Sequence, residues 1–137
     1  MDYALKKSEK KWKVLQKAIE RLNQSQSLVE GKRDKEALGR IGIDTNRIRT
    51  IGKIRETMEE FKRKEISEII VLMDFDERGN ELAEEIKGEC DGLAMRADLE
   101  TRKDLRYALG IRFFEDSYGN YLRLKKILGD NYGKSVY

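Results

Sequence analysis

Two short acidic fragments carry the residue types that chemistry needs. Glu30 precedes Gly31 in LVEGKRDKEAL, and Asp74, Phe75, Asp76 and Gly79 stand in EIIVLMDFDERGNEL. Each fragment closes an apolar run, so each reads as a strand ending in carboxylates. Open α/β folds place their sites beyond the carboxyl ends of the strands. Carboxylates gathered there would offer hard oxygen ligands suited to magnesium. Asp74 and Asp76 lie two apart, and on extended backbone both side chains leave the same side. Carboxylates that close repel unless a cation or a proton joins them. Magnesium could polarise a phosphoryl oxygen and activate a water. Glu30, from a neighbouring strand, could hold that water or move a proton. Lys32, Arg33, Lys35 and Arg78 lie beside the acids and could contact phosphates.

Taken alone, DFDERG fits several chemistries. A calcium loop wants ligands at its first, third and fifth positions, Gly at the sixth and Glu at the twelfth. Asp74, Asp76, Gly79 and Glu85 meet four of these, but Arg78 stands where the fifth-position ligand belongs. An aspartyl-phosphate phosphatase would place its Asp-x-Asp after the first strand, not the third. A P-loop enzyme needs an upstream Gly-rich Lys-Ser/Thr loop, and the chain has none.

The elements that must position these acids follow from periodicity. Residues 3–24 read as a helix, with Trp12, Leu15, Ile19 and Leu22 on one stripe and lysines opposite. Asn23 to Gln26 form a short linker. Ser27 to Glu30 is a strand, and a helix follows from about Asp34 to Arg40. Asn46 to Gly52 alternates as a strand, and Lys53 to Lys64 is amphipathic. Ile69 to Met73 is a continuous apolar run, the mark of a central strand covered on both faces. Helices are expected over Asn80 to Cys90, from Thr101 with Asp104 completing a capping box, and over Ser117 to Leu128. Leu93 to Met95 is a weaker strand. Alternation of this kind implies an α/β fold with a mostly parallel four-stranded sheet flanked by helices.

Composition narrows the chemistry. The chain has 137 residues, enough for one core with extensions. It has one cysteine and no histidine, which excludes a Cys/His zinc site and a histidine-based triad. Acid–base work therefore falls to carboxylates, lysine, tyrosine or bound water. Cys90, at helical spacing from Ile86, reads as a small buried hydrophobe. Tyr107, Tyr118, Tyr121, Tyr132 and Tyr137 read as core or surface aromatics. No run approaches the ~20 apolar residues of a membrane span, so no membrane partner is expected. The basic N-terminus lacks the apolar core of a signal peptide, so a reducing cytoplasm is the expected compartment. The lysine-rich helix reads as a solvated face whose apolar stripe packs on the core, on a second copy in a homodimer, or on a partner protein.

The two fragments together are more specific than either alone. Glu30 and Asp74 stand 44 positions apart, in order, each at a strand end. In this the chain resembles the Toprim domain, shared by topoisomerases, bacterial-type primases and small nucleases. That family has a strand ending in Glu-Gly and, a few dozen residues on, a strand ending in Asp-x-Asp with a nearby Gly. The resemblance covers about residues 25–112, leaving 1–24 as a basic N-terminal helix and 113–137 as a C-terminal helical extension. It implies a Toprim-like, Rossmann-like fold. It assigns Glu30 as general acid/base or metal ligand, Asp74 and Asp76 as magnesium ligands (manganese substituting), and Gly31 and Gly79 as turn glycines. Topoisomerases often carry a third Asp where this chain has Arg78, which points toward primases and small nucleases. The implied activity is magnesium-dependent phosphodiester chemistry on RNA or DNA, most simply nuclease-like hydrolysis. The alternatives are a non-catalytic nucleic-acid module and a primase-like nucleotidyl transferase acting with a partner.

Overall fold

The computed structural model describes the backbone of residues 3–132 and the side chains of residues 3–129. Tyr137 therefore lies outside the described residues, and nothing is described of the Tyr132 side chain. Helix α1 (Tyr3–Leu22) leads into strand β1 (Gln26–Val29), followed by α2 (Lys32–Arg40), β2 (Ile48–Thr50), α3 (Ile54–Arg63), β3 (Glu68–Leu72), α4 (Glu77–Gly92), β4 (Arg96–Asp98), α5 (Glu100–Leu109) and α6 (Ser117–Tyr132). All four strands are parallel, in the order β2-β1-β3-β4. The expected α/β class and four-stranded sheet stand, with the sheet wholly parallel.

The continuous apolar strands serve two cores at once. Side chains alternate across a strand, so Leu28, Ile69, Val71 and Met73 meet Met58, Phe61, Ala83 and Ile86 of α3 and α4 on one face. Val29, Ile70 and Leu72 join Leu15, Leu22, Leu38, Leu105 and Leu124 on the other. Helix α1 is thus part of this core: Leu15, Ala18 and Leu22 are fully buried, and Trp12 stacks on Tyr121 of α6 with ring centroids 5.8 Å apart. Cys90 is buried, with Sγ 3.7 Å from Met58 Sδ. Tyr121 and Tyr118 are half-buried against the core and Tyr107 is exposed.

Several local expectations shift. Leu93 to Met95 is not a strand but the turn that ends α4. Ala94 takes a positive φ of 56°, and the amide of Met95 donates to Cys90 O at 2.9 Å. The strand comes just afterwards, as β4. The alternation at Asn46 misleads because Asp44 Oδ1 accepts from the Asn46 amide and folds residues 45–47 into a 3-10 turn. Helix α5 is started by Asp98 rather than Thr101. Asp98 Oδ1 accepts from the amides of Glu100 and Thr101, and Oδ2 accepts from the Thr101 hydroxyl. Asp104, the expected capping partner, instead pairs with Arg21 at 2.6 Å. No described helix is long and apolar enough to cross a membrane.

Candidate active site at the β1–β3 crevice

The strand order reverses direction between β1 and β3: the chain moves from β1 to β2 on one side, then returns past β1 to β3 on the other. Such a switch point opens a crevice at the carboxyl ends of its two strands. Val29 is level with Leu72 in the register, so Glu30 and Asp74 leave the sheet side by side. Glu30 Oε2 accepts a hydrogen bond from the Asp74 amide at 2.7 Å. Asp74 Oδ1 in turn accepts from the amide of Phe114 at 2.8 Å, tying the strand end to the segment between α5 and α6. The Phe75 amide donates to Arg112 O at 2.9 Å in the same seam.

Asp76 takes a different path. Helix α4 begins at Glu77, earlier than its apolar pattern suggests, because Asp76 caps it: its Oδ1 accepts from the Gly79 amide at 2.8 Å. Strand β3 has already ended at Leu72. The Asp76 carboxylate is therefore engaged at the helix N-terminus, where negative charge is favourable. Asp76 keeps extended backbone, with φ −82° and ψ 174°, while its Oδ1 is taken by the cap.

The acid that approaches Asp74 besides Glu30 is Asp34, which the sequence reading treated only as a helix start. Asp34 is buried on the first turn of α2 and accepts from the Gly31 amide at 3.0 Å. Burial raises its pKa, and the charges of Glu30 and Glu115 add to the rise. Burial is also the main cause that pushes Asp74 up to about 7, with Asp34 and Glu30 raising it further against the opposing hydrogen bond from Phe114. The sole trace of Asp34's role in the sequence is its place three residues after Gly31.

The two glycines differ in kind. A Cβ on Gly79 would stand 2.0 Å from the carbonyl oxygen of Asp74, so this position permits close passage of α4 over the strand end. Gly31 has φ −146°, open to any residue, and a Cβ there would meet nothing nearer than 4.0 Å. Gly79 is thus a packing glycine inside a helix, and Gly31 is not required by backbone geometry.

Positive charge surrounds the pair unevenly. Arg102 is buried and donates from Nε to Met73 O at 2.6 Å and from Nη2 to Asp74 O at 2.6 Å and Asn80 Oδ1 at 2.7 Å. It braces the backbone and makes no ion pair with the acids among the described residues. Arg78 lines a cleft of about 550 Å³ with Glu30, joined there by Lys53 and Arg55, which no local sequence pattern marks. Arg33 lines a separate cleft beside Arg40 and Tyr118, while Lys32 is exposed on the first turn of α2 and Lys35 is half-buried.

Magnesium can be tested against this donor set. Among the described residues, no three acidic or cysteine side chains converge as a ready cage. Magnesium does not need one, since it commonly binds through one or two carboxylates and keeps several waters. Glu30 and Asp74 are two such carboxylates, drawn together with Asp34 beside them and the nearest buried cation committed to carbonyls. The donor chemistry is of the kind magnesium uses, and Asp76 Oδ1 is engaged as a cap.

No family model matches the chain. A UPF0292 protein of Thermococcus sibiricus is 32% identical over 124 residues, covering 85% of this chain and 94% of the relative. Another, from Thermococcus onnurineus, is 32% identical over 117 residues, covering 82% and 87%. A third, from Pyrococcus furiosus, is 33% identical over 98 residues, covering 70% and 73%. The solved structure of a protein from Aquifex aeolicus aligns with a TM-score of 0.63 at 24% identity, over 74% of this chain and 96% of the other. That likeness is one of fold.

Proposed function

The chain belongs to the UPF0292 family, whose name specifies no reaction, and we propose from its site that it hydrolyses phosphodiester bonds in RNA or DNA with the help of magnesium or manganese. The observation that carries this reading is the contact of Glu30 with Asp74 at the switch-point crevice. The Toprim resemblance supports it, since the Glu-Gly and Asp-x-Asp fragments leave adjacent parallel strands.

Glu30 and Asp74 would hold the metal. When bound, it supplies charge neutralisation at a phosphoryl oxygen and a more acidic water. The residues of the chain do the rest. Asp74 has Oδ1 held by the Phe114 amide, which fixes the carboxylate beside Glu30, and without a cation burial and the neighbouring acids raise its pKa to about 7. Lys53, Arg55 and Arg78 line the cleft beside Glu30, with Glu85 and Glu89 also on its wall, and the cations are the groups that would meet a phosphate backbone. Arg102 fixes the Asp74 carbonyl, so the carboxylate is presented from a rigid base.

The test is incubation with pooled structured RNAs and single- and double-stranded DNA, with magnesium or manganese. Cleavage is expected, and Glu30→Gln and Asp74→Asn should abolish it. Absence of cleavage on every substrate with both metals overturns the reading. A binding role without hydrolysis is the second reading. It is favoured by the structural hydrogen bonds that Asp74 and Asp76 already hold, and it predicts binding unaffected by either substitution.

A further inference from the structure

Phe75 stands between the two aspartates in the sequence. Its ring is largely buried, and two guanidinium groups lie over it: that of Arg102 at 4.3 Å from the ring centroid and that of Arg106 at 4.9 Å. The two arginines are one turn apart on α5 and so share a face. Like charges at that spacing repel, and after burial Arg106 is the leading cause that lowers the pKa of Arg102.

The two arginines are employed differently. Arg102 is buried, and its Nε and Nη2 donors are taken by internal acceptors. Arg106 is exposed, and among the described residues its guanidinium makes neither hydrogen bond nor ion pair. Contact with an aromatic face anchors it there. That contact takes no hydrogen-bond acceptor, so the N–H donors of Arg106 are not committed to an acceptor among the described residues. A planar fork with open donors matches the oxygens of a phosphate bidentately. Arg112, whose carbonyl accepts from the Phe75 amide, adds a second exposed cation without an acidic partner among the described residues. Lys53, Arg55 and Arg78 line the cleft beside Glu30 together with Glu85 and Glu89, Arg106 lies over Phe75, and Arg112 lies over the neighbouring Phe113 ring.

We propose that Arg106 is a phosphate-binding residue that takes the phosphate neighbouring the one at Glu30 and Asp74, so that a nucleic-acid strand crosses the sheet edge over Phe75. The strand rests on the proposed function; the phosphate contact does not. A mononucleotide phosphate offers the same chemistry, and the test separates the two sources.

The Nε–Hε resonances of the arginines in the full chain are followed by NMR in chelator, first with inorganic phosphate and then with a short single-stranded oligonucleotide. The Arg106 resonance should move with both. Arg106→Met keeps a stem over Phe75 and removes the charge. It should weaken oligonucleotide binding about 5- to 10-fold and flatten its dependence on log salt by about 0.7. Arg106→Lys should restore the salt dependence and only part of the affinity. A resonance unmoved by both probes, or wild-type affinity and salt dependence in Arg106→Met, overturns the proposal. Movement with phosphate alone overturns the strand and assigns a mononucleotide phosphate. If these shifts persist while no metal-dependent cleavage is found, hydrolysis fails and the role of Arg106 stands.

Discussion

Glu30 Oε2 and the backbone amide of Asp74 are 2.7 Å apart, across the seam between β1 and β3. One carboxylate thus serves two ends: it satisfies a strand-end amide and stands beside the acid whose charge burial resists. Structure and chemistry can be separated by substitution. Glu30→Gln retains an oxygen to accept from Asp74 and removes the charge. Glu30→Ala leaves the amide without its partner, which costs about 1–3 kcal/mol where the group is buried. Both should lose metal-dependent cleavage. Urea unfolding should show Glu30→Gln near the wild type and Glu30→Ala clearly weaker.

The raised pKa of Asp74 has a sign that stability must follow. In the unfolded chain an aspartate titrates near 3.9, and in the folded chain Asp74 titrates at about 7. Between those values the folded state binds more protons, so stability falls as pH rises. The contribution of Asp74 is fully present below about pH 4 and is lost through pH 7. Asp34, also raised, acts in the same sense. In chelator, the Tm of the wild type should decline from pH 5 to pH 8. Asp74→Asn keeps an acceptor for Phe114 and should decline less. Magnesium at pH 8 should raise the wild-type Tm and leave that of Asp74→Asn unchanged. Equal pH slopes for the two proteins in differential scanning calorimetry would contradict the assignment.

Gly31 and Gly79 look alike beside their acids and should respond differently to a methyl group. At Gly79 the new carbon would sit 2.0 Å from a backbone oxygen, so α4 or the Asp74 segment must move. A cost of about 1–3 kcal/mol is expected, with loss of activity because the displaced backbone carries Asp74. Gly31→Ala meets open space at an ordinary φ and should stay within about 0.5 kcal/mol. Chemical denaturation of both variants decides this directly.

What the sequence made legible was whatever local pattern determines. The apolar run Ile69 to Met73 could only be a strand covered twice, and it is buried on both faces. Glu30 and Asp74 were legible because each closes such a run. The capping role of Asp76 was not legible, because its partner is three residues ahead, in a helix its own side chain starts. Asp34, Arg102 and Arg106 were silent for another reason. Each acts on a residue far away in sequence: Asp34 on Asp74, and the two arginines on the Phe75 segment. In the sequence they are ordinary charges on ordinary helices. Asp98 hid the start of α5 in the same way, by capping from the end of a three-residue strand.

Arg102 supplies the last prediction, because its three acceptors are all internal. It holds Met73 O, Asp74 O and Asn80 Oδ1, and covers Phe75 at 4.3 Å. Arg102→Met fills similar space but strands two main-chain carbonyls at the end of β3, each worth about 1–3 kcal/mol if left buried and unpaired. Arg102→Lys keeps the charge, yet an ammonium on a flexible stem has no planar fork to span acceptors on two segments. Both variants should therefore lose stability, with the lysine recovering only a fraction of it. The activity of both should fall further than their stability at the assay temperature explains, since the Asp74 backbone loses its brace. Full rescue by lysine would show that the charge of Arg102, and not its geometry, positions the acids.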